Sequence, residues 1–132
     1  MVRTELREHI FKLVFQLEFH TPEEMPEYVT LYLDNLEGAT DKDKTYIANK
    51  YEAVAAKVSQ IDEMINEKSE TWKTNRMGKV DVAILRLAVY EIKWDEDVPT
   101  GVAINEAVEL AKKFSGEGSP AFVNGVLARL AE

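Results

Sequence analysis

Ten of the thirteen residues from Val80 to Ile92 are apolar. The run lacks the period-two alternation of a strand and is shorter than the roughly 18 apolar residues of a membrane span, so it reads as a helix buried on most of its sides. Such a helix needs other elements packed around it, and the flanking sequence supplies helical periodicity throughout. Arg86 and Lys93 fall together on its one polar side, whereas Asp81 and Glu91 share angles with apolar neighbours. A buried carboxylate wants a cationic or N–H partner. The two carboxylates stand ten residues, or roughly 15 Å, apart along the helix, so structural pairing is expected of them before acid–base catalysis.

The remaining helices follow from period and punctuation. Thr4–His20 carries Leu6, Ile10, Leu13, Val14 and Leu17 on one face and Phe11, Phe15 and Phe19 on another, leaving His9 and His20 on a narrow polar stripe where exposure is expected. Thr21-Pro22-Glu23-Glu24 spells a capping box with proline at the first helical position and opens a second helix, to about Leu36. After Gly38, Thr40 with Asp41 and Asp43 caps a third helix through about Lys57, and Ser59 is placed to cap a fourth, ending near Trp72. Gly101–Phe114 is cleanly amphipathic, and Ser115–Pro120 is a turn leading into a seventh helix, about Pro120–Ala131, in which Ser119 takes the cap position and Phe122 joins the core face. The expected fold class is all-α, one domain of about seven helices over residues 1–132.

The chain has no cysteine, which excludes a disulfide scaffold, thiolate catalysis and cysteine-bearing metal sites. No basic segment followed by an apolar one opens it, so a cleaved export signal is not expected, and the cytoplasm is the expected compartment, away from membranes. A formal net charge of −8 argues against a nucleic-acid partner until its distribution is considered. Residues 21–71 hold five basic and twelve acidic side chains, whereas 72–94 hold five and two. A phosphate ligand would dock near this second segment, joined by the balanced N-terminus.

Motifs that would carry catalysis or metal binding fail on context. Asp41–Glu52 spaces oxygens like a calcium loop but has Tyr46 where the sharp turn needs glycine. Gly116–Ala121 fits a dinucleotide fingerprint but follows a helix instead of a strand. His9 and His20 have no third ligand in view. No catalytic residue, metal site or cofactor is expected, and a binding protein is the favoured class.

The C-terminal half, through Val80–Glu91, Asp97-Val98-Pro99, Val102–Lys112 and Phe122-Val123-Asn124-Gly125-Val126-Leu127, resembles the bacterial transcription antitermination factor family NusB. Arg3, Arg7 and the Leu13–Glu18 stretch agree more loosely. The resemblance implies a double three-helix bundle that binds boxA RNA together with NusE, a small-subunit ribosomal protein, and supports the RNA polymerase elongation complex, notably on ribosomal RNA operons. It implies an RNA surface combining the basic N-terminus, where Arg3, Arg7 and Lys12 lie, with the turn opening the last helix, where Ser119 and Phe122 lie. Arg76 and Lys79, in the one basic segment, are expected phosphate contacts. A same-fold relative is the RNA-binding domain of a ribosomal RNA cytosine methyltransferase, for whose catalytic domain these 132 residues leave no room. The alternative class is a helical protein-interaction adaptor without direct RNA binding, motivated by the acidic balance.

Overall fold

A computed structural model describes residues 1–70 and 72–132. Seven α-helices follow in order: α1 (Arg3–Gln16), α2 (Met25–Asp34), α3 (Asp41–Ala56), α4 (Val58–Lys68), α5 (Lys79–Trp94), α6 (Thr100–Phe114) and α7 (Ser119–Leu130), with a single 3-10 turn at Thr74–Arg76. No strand occurs among the described residues. Helix α5 is the axle: it packs on α1, α4, α6 and α7, while α1 also packs on α3, and α6 on α7. Val82, Ile84, Leu85, Leu87 and Val89 of α5 are almost wholly buried, as the apolar run requires, and join α1–α3 to α6–α7 in one core.

Local signals set several helix ends. The Thr40 hydroxyl accepts from the Asp43 amide and the Asp43 carboxylate from the Thr40 amide, which closes the capping box of α3. Asp43 also receives the N-terminal ammonium at 3.1 Å, tying the chain start to α3. The Thr21–Glu24 box forms as well, at 2.7 and 3.3 Å. Regular α2 nevertheless begins only at Met25, because the amide of Glu24 closes a tight turn on the Thr21 carbonyl and Pro26 has no N–H to continue the ladder.

Three expectations are corrected. Helix α1 stops at Gln16, four residues short of His20, where the amides of Leu17, Glu18 and Phe19 switch to i−3 carbonyls. Ser59 caps nothing: α3 passes into α4 through Lys57, and α4 ends at Lys68, short of Trp72. Gly118, with φ of 86°, takes the cap position of α7 instead of Ser119, a left-handed conformation that glycine adopts at least cost.

Charges inside the helical core complete the architecture. Arg86, expected on a polar side, is buried and makes a forked contact to Asp62 of α4 at 3.0 and 2.8 Å, plus a bond to Glu18 at 2.6 Å. Glu91 is 2% exposed and receives Arg7 Nη2 at 2.9 Å and Lys50 Nζ at 3.0 Å. Lys50 turns as well to Asp95. Burial alone pushes the Asp95 carboxyl up, but the hydrogen bond and charge of Lys50 outweigh it and hold the carboxyl below its usual value.

Two outcomes follow for stability. Glu91→Ala leaves two buried cations without their shared partner and should cost about 3–5 kcal/mol in urea unfolding. Because the folded-state pKa of Asp95 is depressed, its contribution is present above the ordinary carboxylate range and lost as pH falls through the folded value. Melting temperature should therefore drop on acidification, and a smaller acid dependence is expected of Asp95→Asn.

Candidate nucleic-acid interface

The basic residues singled out by the sequence do not share one fate. Arg3, the first residue of α1, is exposed and borders a hollow of about 290 Å³ whose inner wall is Arg7, Glu91 and Asp95. Arg7 is only 6% exposed, and its guanidinium Nε and Nη2 both reach the Glu91 carboxylate. Arg7, grouped with Arg3 and Lys12 in the sequence, is therefore a buried, ion-paired cation, one helical turn inside the exposed Arg3.

Lys12 lies on another side of α1, paired with Glu8 at 3.4 Å and 5.6 Å from the centre of the Phe114 ring. Lys113 shares both neighbours, 2.6 Å from Glu8 and 5.4 Å from the ring. Both pairs hold the Glu8 carboxyl below its usual value, the Lys113 hydrogen bond foremost. Phe114 is the last residue of α6, so the two lysines mark the path from α1 to the turn. Neither Lys113 nor Phe114 was singled out by the sequence, although Lys112-Lys113-Phe114 directly precedes the turn.

The turn is fastened from below by Asp81. Ser115 Oγ donates to Asp81 Oδ1 at 2.8 Å and Ser119 Oγ to Asp81 Oδ2 at 3.1 Å, with the two hydroxyls 2.9 Å apart. The half-buried carboxylate on α5 is thus satisfied by hydroxyls and not by a cation. Phe122, one turn into α7, is half-buried: it packs against the core and also borders a cleft of about 270 Å³ with Trp72, Arg76 and Ser119. Arg76 is exposed beside Trp72. Lys79 is exposed too, 3.7 Å from Glu18 and 5.8 Å from the centre of the exposed Phe19 ring. The structure therefore brings Arg76, Ser119 and Phe122 together, sets Lys79 and Lys12 on flanking sites, and leaves Arg3 at the far end of α1.

The two histidines are half-buried, not exposed. His9 Nδ1 meets the Tyr32 hydroxyl at 2.7 Å, and His20 stacks on Tyr28 with ring centres 4.7 Å apart. Burial pushes the Tyr32 hydroxyl up to about 12 and lowers the His9 pKa. The first pair staples α2 to α1, and the second staples α2 to the turn that follows α1. No cluster of three metal-ligating side chains occurs among the described residues, and no described helix is long and apolar enough to cross a membrane.

The family model described as "NusB family" matches residues 4–132. The chain belongs to the NusB family. It is 53% identical over 131 residues to the transcription antitermination protein NusB of Agathobacter rectalis, covering 99% of this chain and 100% of that one. The Lachnoclostridium phytofermentans protein of the same name is 48% identical, with 98% of each chain covered. Among solved structures, NusB of T. maritima superposes with a TM-score of 0.85 at 35% identity, covering 99% of this chain and 91% of that one. A structure of antitermination factors NusB and NusE in complex with dsRNA gives 0.80 at 24% identity, with 99% and 98% covered, a likeness of fold.

The contrast between two arginines on one helix is directly measurable. Arg3→Ala should leave the melting temperature nearly unchanged, within about 0.5 kcal/mol, whereas Arg7→Ala should cost about 2–4 kcal/mol by taking from the buried Glu91 its forked partner and leaving it Lys50 alone. Equal stabilities for the two variants in thermal melts would contradict this placement.

Proposed function

We propose that this NusB-family chain is a transcription antitermination factor that binds boxA RNA jointly with NusE and supports the RNA polymerase elongation complex, notably on ribosomal RNA operons. The observation that carries the reading is full-length likeness to relatives named transcription antitermination protein NusB. A solved structure of the same fold holds antitermination factors NusB and NusE in complex with dsRNA, which supports a joint RNA-binding reading. The role is binding without catalysis, and the site of action is the cytoplasm.

On this reading the phosphates of the RNA meet the exposed Arg3, the half-buried Lys12, then the exposed Arg76 and Lys79, while Ser119 and Phe122 border the turn where an unpaired base is met. Phosphate contacts position an RNA, and base contacts specify it. Arg7 acts indirectly, by fixing the rotation of α1 through Glu91. The acidic stretch 21–71 lies mostly on α2, α3 and α4.

The test is binding of labelled boxA RNA with and without NusE across salt concentrations. With three or four phosphate contacts, the single-strand slope of about −0.7 per contact gives a loss of roughly 2–3 log units in affinity per tenfold rise in salt. Binding that is absent in both arms would sink the reading and leave the protein-interaction adaptor. Arg3→Ala should weaken boxA and a scrambled RNA of equal length alike.

A further inference from the structure

Helix α2 is amphipathic, yet among the described residues it is the helix packed least closely on any other. Its circumference shows why. At about 100° per residue, Tyr28 and Tyr32 fall on one flank, where they meet His20 and His9. Pro26 and Thr30 fall on the other flank, and between them and Ala48 and Ala55 of α3 lies a groove of about 500 Å³. It is larger than the hollows beside Arg3 and Trp72. Leu17, Met25, Val29 and Leu33 supply the rest of its apolar wall. From Met25 to Leu33 the groove runs along about 12 Å of α2, the length of two helical turns. Its rim is acidic. Between Thr21 and Asp41 the chain has no lysine or arginine, and its carboxylates are Glu23, Glu24, Glu27, Asp34, Glu37 and Asp41. By helical position Glu27 and Asp34 follow Thr30 round α2, and the exposed Glu52 lines the α3 wall, with Lys44, a turn before Ala48, the cation of that face.

We propose that the groove between α2 and α3 docks a helical segment of a further protein, apolar on one face and basic along its flanks, at the same time as RNA and NusE are bound. The inference does not rest on the RNA-binding reading: none of the residues lining the groove is a cation or aromatic placed on the RNA path. The occupant follows from shape and charge together. An amphipathic helix lays side chains spaced i, i+3 or i+4, and i+7 into an apolar groove, and those anchors span about two turns, the length available beside α2. Its flanking lysines or arginines then face Glu27, Asp34 and Glu52, an arrangement that speeds encounter and rejects acidic competitors. A second copy of this chain would bring the same carboxylates against each other, and a nucleic acid would bring phosphates against them. Both are disfavoured by the rim that attracts a basic helix.

The probe is a fluorescein-labelled peptide of about 15 residues, long enough to form a helix, with leucine at heptad spacing and lysine elsewhere. Its anisotropy should rise on titration with the full chain, and the amide resonances of Thr30, Ala48, Glu52 and Ala55 should shift. Replacing its leucines by alanine should weaken binding roughly tenfold or more through lost apolar burial. Replacing its lysines by glutamate should weaken it roughly tenfold or more by charge repulsion. Glu52→Lys, at an exposed position, should weaken it about twofold to fivefold at unchanged melting temperature. The complex with NusE and boxA RNA should take up the peptide as well as the free protein does. Unchanged anisotropy would overturn the proposal, as would resonance shifts confined to other helices or equal binding of the lysine and glutamate peptides. Displacement of the peptide by NusE would overturn it too, since the groove would then belong to the NusE interface. A dimer of the unaltered protein that Glu52→Lys dissociates would put a second copy in the groove in place of a partner. Failure to bind boxA RNA with or without NusE would sink the RNA-binding reading alone, and the peptide titration would still decide the groove.

Discussion

One carboxylate sets the relation between three helices. Glu91 of α5 takes a forked contact from Arg7 of α1 and a further bond from Lys50 of α3, and Lys50 reaches on to Asp95 at the end of α5. Buried ions cost several kcal/mol each to desolvate, and they recover that only in good geometry. A small rotation of α1 would leave Glu91 and Arg7 short of partners, so the cluster selects one arrangement out of many that would bury the aliphatic side chains equally well. That selection fixes which side of α1 faces outward. Arg3, one turn earlier, is left at the rim, and Lys12 is turned toward Phe114.

A second cluster repeats the device 5 residues earlier along α5, where Arg86 joins Asp62 of α4 to Glu18 just beyond α1. Burial by itself lowers the Arg86 pKa, but its two carboxylates more than reverse that. Lys79, one position into α5, stands on the far side of Glu18. The basic segment 72–94 therefore divides on folding. Arg86 is neutralised inside, Lys93 turns to the Leu130 carbonyl and Lys73 to the Asn66 carbonyl, while Arg76 and Lys79 remain exposed.

This division explains what was legible beforehand. Fold class and the burial of α5 were readable because they depend on local period, and the boxes at Thr21–Glu24 and Thr40–Asp43 because each is closed within four residues. That Glu91 would be buried and paired was also readable, from its place on an apolar helix. Its partners were not, since Arg7 and Lys50 lie 84 and 41 positions away. Arg7 and Arg3 look alike in sequence; only the long-range contact separates a structural cation from an exposed one. Ser119 was misread as a cap for the same reason, because its hydroxyl goes to Asp81, 38 positions back. The cleft at Trp72 is made by a turn after α4 meeting the start of α7, so no local pattern announced it.

An acidic chain meets a polyanion only where its local field reverses, and screening sets how local that is. At physiological salt the Debye length is about 8 Å, so carboxylates on α2, α3 and α4 beyond that distance barely oppose a phosphate at Arg76 or Lys12. The opposing charges that matter are the near ones, among them Glu8 beside Lys12 and Lys113, and Glu18 beside Lys79. Each already shares its charge with a lysine, which lowers the net positive field available to RNA. A surface of this kind gains little from long-range attraction. Its affinity must come from a few close phosphate contacts and from aromatic faces held ready by buried charges, and it falls to a protein partner to supply the rest of the RNA's path.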